Sequence, residues 1–355
     1  MRHEIDAIIH FAGSIVVPES VSDPLSYYEN NTGNTHRLLS AAVKAGINKV
    51  IFSSTAAVYG QPDQPLPIRE DAALRPESPY GQSKLMSEMM LRDTARAHDL
   101  RYVALRYFNV AGADVKGRAG NSAAGATHLL KVACEAALGK RKSVSVFGTD
   151  YQTPDGTGVR DFIHINDLVD AHLSALAYLR NGGEPLIANC GYGKGYSVLD
   201  ILRAVRQVSG QPFAVEYGPR RPGDAPLVVA DSTLAREKLG WVPQYDSLRV
   251  IVETALAQPI HHIAGRMAGF GIVDRRVAEA HDQLLFAIQC KHVFRHSRPE
   301  RIAGIAEPIG EKQQIGRLAA FGDAAVEHLD TQMHAADRSQ DLVLAIALGP
   351  GRQGG

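Results

Sequence analysis

Cysteine is nearly absent from the 355 residues: Cys134, Cys190 and Cys290 stand alone, odd in number and without CxxC spacing. That excludes a disulfide framework and a thiolate metal site, and it fits a reducing cytoplasm. An excess of one charge is also lacking. Lys+Arg and Asp+Glu both number 38, so net charge recruits neither nucleic acid nor an anionic membrane surface. No apolar run approaches the ~18 residues of a membrane-spanning helix. The opening MRHEIDAIIHF is too short and too acidic for a signal peptide. No internal repeat is present.

What is there is alternation. Strands are expected at 7–12, 49–54, 101–107, 144–147 and 186–190, and helices at 31–45, 80–98, 125–138, 166–180, 197–209 and 247–257. This order implies an α/β fold, a doubly wound, mostly parallel sheet with helices on both faces. Segments around 110–160 and 190–245, richer in glycine, proline and aromatics, are expected to form a smaller lobe.

Two motifs carry chemistry. In SPYGQSK (78–84), Ser78 and Pro79 open a helix, as cap and first residue. Lys84 then follows Tyr80 by one helical turn on the same face. A free tyrosine, with a pKa near ~10, is a poor base; a neighbouring cation favours the phenolate and makes the pair a candidate acid/base. Upstream, the apolar run Val50–Phe52 ends in three hydroxyls, Ser53, Ser54 and Thr55. Ligands of open α/β sheets bind at such carboxyl ends of strands. Each motif alone also fits a plain surface helix or a Ser/Thr-rich turn.

Strand, hydroxyl, then a helix with Tyr and Lys resembles the catalytic layout of the short-chain dehydrogenase/reductase superfamily. IIHFAGSIVVPES (8–20), YYENN (27–31), RYFNVAGA (106–113), FGTDYQTPDGTGVRDFIHINDL (147–168) and RRPGD (220–224) then follow in order. This series resembles the UDP-glucose 4-epimerase (UDP-galactose 4-epimerase) family from about residue 5 to about 257. Dehydratases of the same extended type usually carry an Asp-Glu pair where this chain has Thr55-Ala56.

The resemblance implies a Rossmann-like NAD-binding domain over 1–110, joined by 161–190, and a mainly UDP-sugar-binding lobe over 111–257. It implies interconversion of UDP-glucose and UDP-galactose through a 4-ketopyranose, with NAD retained and not consumed. Tyr80 would take the proton of the sugar 4-hydroxyl, Thr55 would bridge, and Lys84 would lower the tyrosine pKa and bond the nicotinamide ribose. Cofactor contacts are expected from Phe11, Ala12, Gly13, Asn30, Ser53, Tyr80, Lys84 and Phe108. Contacts to the UDP-sugar are expected from Thr55, Asn109, Leu129, Phe147, Arg160, Arg221 and Asp224, since arginine forks suit a diphosphate. Val228 stands where relatives restricted to glucose and galactose carry a bulky tyrosine, so room for an N-acetyl group is expected unless Leu227 or Tyr192 fills it. A homodimer paired through helices 31–45 and 80–98 is implied. No metal is expected, since histidine pairs such as His261/His262 and His292/His296 lack a third ligand placed by any motif.

Two features depart from the family. No GxxGxxG turn precedes the strand at 7–12, nor does an acidic residue for the adenosine ribose. Opening βα units of roughly 60–70 residues, at ~30 per βαβ unit, are therefore expected to be missing, with a late start codon or a broken gene as the alternatives. The edge of strand 7–12 is expected to lie open, and the chain to purify without NAD. Beyond residue 257 the resemblance stops. Residues 258–355, with seven of the fourteen histidines, read as a frameshifted or read-through tail. An enzyme and an inactive truncated remnant both stay open on the sequence.

Overall fold

The computed structural model describes residues 5–62, 67–120, 127–221 and 224–257, together with the backbone of 345–348. Expectations about the rest of the tail, including Cys290, its histidine pairs and helical patches at 274–289 and 322–335, lie outside the described residues.

In chain order the elements begin with β1 (Ala7–His10), α1 (Val17–Ser22), α2 (Pro24–Tyr27), a π-helical turn over Tyr28–Gly33, and α3 (Asn34–Lys44). There follow β2 (Lys49–Thr55), α4 (Pro79–Ala97), β3 (Arg101–Tyr107), β4 (Asn109–Ala111), α5 (Leu129–Ala137), β5 (Ser143–Phe147) and β6 (Val159–His164). Next come α6 (Ile165–Arg180), β7 (Leu186–Cys190), β8 (Gly195–Ser197), α7 (Val198–Ser209), β9 (Ala214–Gly218) and β10 (Leu227–Val228). The last are α8 (Thr233–Leu239), α9 (Leu248–Ala257) and β11 (Ala345–Leu348).

The main sheet runs β11-β1-β2-β3-β7, and β1, β2, β3 and β7 are parallel neighbours. β2 and β3 have apolar centres, Val50–Phe52 and Tyr102–Leu105, and are buried on both faces as a covered parallel sheet requires. Their side chains alternate between faces. Ser54 reaches Glu88 on α4 and Ser53 reaches His172 on α6, so these two helices cover opposite faces. Fully buried Ile51 and Leu105 stabilise this sandwich by about 1.5–3 kcal/mol each. Two smaller sheets, β10-β6-β4 with β8 on β6, and β5-β9, stand beside it.

Local chemistry sets the helix ends. Ser78 caps α4, accepting from the Gly81 amide at 3.2 Å, with Pro79 as first residue. Ser197 and Asp200 form a reciprocal capping box on α7, and Gly210 ends it at φ 65°.

Two expectations are corrected. The β1 edge is not open: β11 pairs with it antiparallel, Ala7 opposite Leu348 and His10 opposite Ala345. An unpaired strand edge accepts any extended partner, and AIAL carries no charge to oppose it. Strand β6 was not expected, because Arg160 and Asp161 interrupt its apolar pattern. Asp161 is nonetheless fully buried, accepting from the amides of Tyr192, Gly193 and Ala230 at 2.9–3.2 Å.

Candidate active site

The carboxyl ends of β1, β2 and β3 and the first two turns of α4 meet at one place. Thr55, the last residue of β2, faces Tyr80 closely enough for its side chain to favour the ionised phenol. Its hydroxyl also accepts from the Ala57 amide at 3.2 Å, which turns the chain away. α4 comes this close because residue 81 is glycine: a Cβ there would lie 2.6 Å from the Ala57 carbonyl oxygen. Lys84, one turn on and 1 % exposed, donates to the Ser53 carbonyl at 3.0 Å and lies over the Phe52 ring.

The turn after β1 closes the other side. Gly13 has φ 148°, and a Cβ there would meet Asn31 Oδ1 at 3.0 Å and Lys84 Nζ at 3.3 Å. Phe11 is buried against the His172 ring, and Ala12 is half-buried. Asn31 accepts from the Ser14 amide at 2.6 Å and donates to the Ser14 carbonyl and to Ser83 Oγ. Asn30 donates to Ser14 Oγ at 2.8 Å. A glycine concavity lined by amide groups and an ammonium, at the carboxyl end of a parallel sheet, fits a dinucleotide's ribose and nicotinamide. These residues therefore fit the expected cofactor.

Burial governs the electrostatics. Burial pushes the Tyr80 phenol above its ordinary value, with Tyr107 and Tyr27 adding and the Thr55 side chain opposing. Desolvation of the charged oxygen outweighs the side-chain contribution of Thr55, opposite in direction to the lowering expected from the Tyr-Lys spacing. Tyr107 sits opposite Thr55 in the sheet, is hydrogen-bonded to Ser53, and burial pushes its phenol up to about 12.

The other group of expected residues gathers on β4, β5, β6 and the loop into β10. Arg221 stacks on Phe147, its guanidinium carbon 3.8 Å from the ring centre. Arg160 donates to Asp224 at 3.2 Å, and Val228 is its register partner across β6 and β10. Tyr192 is held by other groups: its hydroxyl donates to Asp167 at 2.5 Å and accepts from the His164 amide. Leu227 pairs with Val159 and faces Gly195. Asn109 lies on β4 opposite Phe162, and Leu129 starts α5 against the main core. Phe108 is buried among Tyr59, Leu85 and Ala230.

Sequence reasoning missed four residues here. Asn31 and Tyr107 lie inside the quoted motifs, one position from residues that were chosen. Tyr151 and Arg220 form a second stacked pair, 4.3 Å from guanidinium carbon to ring centre, and the Tyr151 hydroxyl is buried without a hydrogen-bond partner among the described residues. The tyrosine of DYQT and the doubled arginine of RRPGD were the available signal.

The family described as "NAD dependent epimerase/dehydratase family" matches residues 1–191. The UDP-glucose 4-epimerase of Azospirillum brasilense is 58% identical over 255 residues, which are 72% of this chain and 73% of that protein. The solved UDP-glucose 4-epimerase of Brucella ovis in complex with NAD superposes with a TM-score of 0.69 at 46% identity, covering 71% of this chain and 77% of that one. The UDP-Glc/GlcNAc 4-epimerase of Campylobacter jejuni gives a TM-score of 0.62 at 48% identity over the same shares. With the Tyr80, Thr55 and Lys84 geometry in place, the chain belongs to the NAD dependent epimerase/dehydratase family, among its UDP-glucose 4-epimerases.

Proposed function

We propose that this protein interconverts UDP-glucose and UDP-galactose. The observation that carries the reading is the meeting of Thr55, at the end of β2, with Tyr80 on α4, and Lys84 held one turn away beside Gly13. NAD, when bound, would supply the redox chemistry, reversible hydride transfer at sugar C4. The chain's own residues handle the proton and the geometry. Tyr80 holds the proton exchanged with the sugar 4-oxygen, and Thr55 shares the hydrogen bond along which it moves. Lys84, Gly13, Asn30 and Asn31 hold and orient the cofactor's ribose and nicotinamide side; Phe11, Ala12, Ser53 and Phe108 form the wall behind them.

Residues 111–257 supply most of the UDP side. Arg160 and Arg221 take the diphosphate, Asp224 the ribose hydroxyls, and Phe147 lines the base, with Asn109 and Leu129 beneath. Arg160 and Asp224 pair with one another at the surface; such a pair contributes little to stability, so a diphosphate displaces it at small cost.

Valine at 228 in place of a bulky tyrosine supports acceptance of an acetamido group as well, and Tyr192, tied to Asp167, is held by other partners. A homodimer fits the side chains left exposed on α1, α2 and α4, namely Val17, Val21, Leu25 and Met89. Sedimentation of the protein should give twice the chain mass; a monomer would contradict the pairing. Among the described residues Cys134 and Cys190 are free and buried, and no helix is long and apolar enough to cross a membrane; both suit a cytoplasmic setting.

The test is to supply the protein with NAD and UDP-galactose and follow UDP-glucose by chromatography. Conversion abolished by Tyr80→Phe supports the reading. No conversion with NAD and UDP both shown to bind would overturn it, in favour of the inactive remnant.

A further inference from the structure

A polar ladder crosses the face of the main sheet that lies under α4. Ser54, Arg106 and Asn189 occupy the same register on β2, β3 and β7. The next register step carries Thr55, Tyr107 and Cys190, the level of the acid/base site. Arg106 is 2 % exposed and grips Glu88 with two bonds, Nε to Oε1 at 3.0 Å and Nη2 to Oε2 at 2.6 Å. Ser54 donates to the same Oε1 at 2.5 Å. Arg106 Nη1 reaches the Tyr59 hydroxyl at 3.0 Å and the Glu70 carbonyl at 3.3 Å. Tyr59 in turn donates to Asn189 Oδ1 at 2.7 Å.

Glu88 lies one turn beyond Lys84 and two beyond Tyr80, so the three share one buried stripe of α4. That helix buries Gly81, Ser83 and Ser87, and only Leu85 and Leu91 as aliphatic knobs. Apolar interdigitation of this kind leaves the helix free to roll or slide, since packing fixes a helix through large side chains in grooves. A bidentate Arg–carboxylate pair imposes direction as well as distance. Buried ion pairs commonly add little net stability against apolar replacements, so orientation is what this one supplies.

We propose that Arg106 and Glu88 are positioning residues: with Ser54 they lock the rotation of α4 against β2 and thereby set the Tyr80 hydroxyl against Thr55. The proposal rests on the proposed function only in naming Tyr80 the acid/base, and its principal readout requires neither cofactor nor turnover.

The experiment replaces the pair by apolar residues, Glu88→Leu with Arg106→Met, and places fluorotyrosine at position 80 in parent and variant. Apolar replacement of a buried pair preserves folding where single removal does not. The parent should show one sharp fluorine resonance. The variant, with melting temperature kept, should show a shifted, broadened or split one. With NAD supplied, kcat should fall roughly a hundredfold while KM holds, the scale of a small misplacement of reacting groups. An unchanged single resonance in the folded variant overturns the proposal, whatever the activity. If the double variant does not fold, Ser54→Ala removes one bond to Glu88 and leaves the ion pair; a Tyr80 resonance identical to the parent's then overturns it as well.

Discussion

The two halves of the site are built on different principles. Around Tyr80 every polar group is buried and already bonded: Lys84 to the Ser53 carbonyl, Asn31 to Ser14 and Ser83, Ser54 to Glu88. Around Arg160 and Arg221 the groups are partly exposed and held by provisional partners, Asp224 for Arg160 and the Phe147 ring for Arg221. The first arrangement fixes distances at the reacting atoms, where electrostatic preorganisation is worth most. The second suits the proposed role of these arginines, in which one ion pair is exchanged for another as a charged substrate enters and leaves. Chemistry and recognition are therefore separable by mutation.

The largest expected effect sharpens that separation. Tyr80→Phe removes the proton carrier and should lower epimerisation by about 10²–10⁴-fold, the range for a positioned acid/base, while calorimetry shows UDP binding unchanged. A loss of UDP affinity in this variant would break the comparison. Arg221→Ala should do the reverse. Removing a charge-assisted contact of ~1.5–3 kcal/mol should weaken UDP binding roughly ten- to a hundredfold, with the fluorine signal of fluorotyrosine at position 80 unmoved.

Val228→Tyr acts on the recognition half alone. Overpacking costs ~1–3 kcal/mol, so turnover of UDP-N-acetylglucosamine should drop about ten- to a hundredfold relative to UDP-glucose. A parent that already rejects the N-acetyl sugar would remove Val228 from the specificity role. Lys84→Met gives the smallest expected change, read as a pH profile. On the proposed mechanism Tyr80 reacts as the phenolate, and burial holds that phenol above its ordinary value, so activity should rise with pH. Loss of the cation raises the phenol further; the acidic limb should move up by about one pH unit, not down.

The sheet was legible where its strands are apolar throughout, as in Val50–Phe52, and α4 was legible from Ser78, Pro79 and an unbroken run. β6 was not, because burial of Asp161 depends on amides from residues thirty and more positions away, which no local pattern reveals. The proposed trio of Tyr80, Lys84 and Thr55 came from spacing and resemblance, and Tyr80 and Lys84 are neighbours on one helix. The Arg106–Glu88 clamp was not legible, although RYFN and the segment after SPYGQSK contain it. An arginine and a glutamate in sequence look like solvated surface groups until the fold buries both. The burial of the Tyr80 phenol was not legible for a related reason: spacing reports the neighbouring lysine, and only the structure reports desolvation.

The central claim is transient oxidation at C4 with Tyr80 as proton carrier. It is tested most directly with UDP-galactose bearing deuterium at C4, incubated with the protein and NAD in ordinary water. The account predicts UDP-glucose that keeps the deuterium at C4, with no such product from the Tyr80→Phe protein. Product that has exchanged its C4 hydrogen with solvent, or full conversion by Tyr80→Phe, would contradict it.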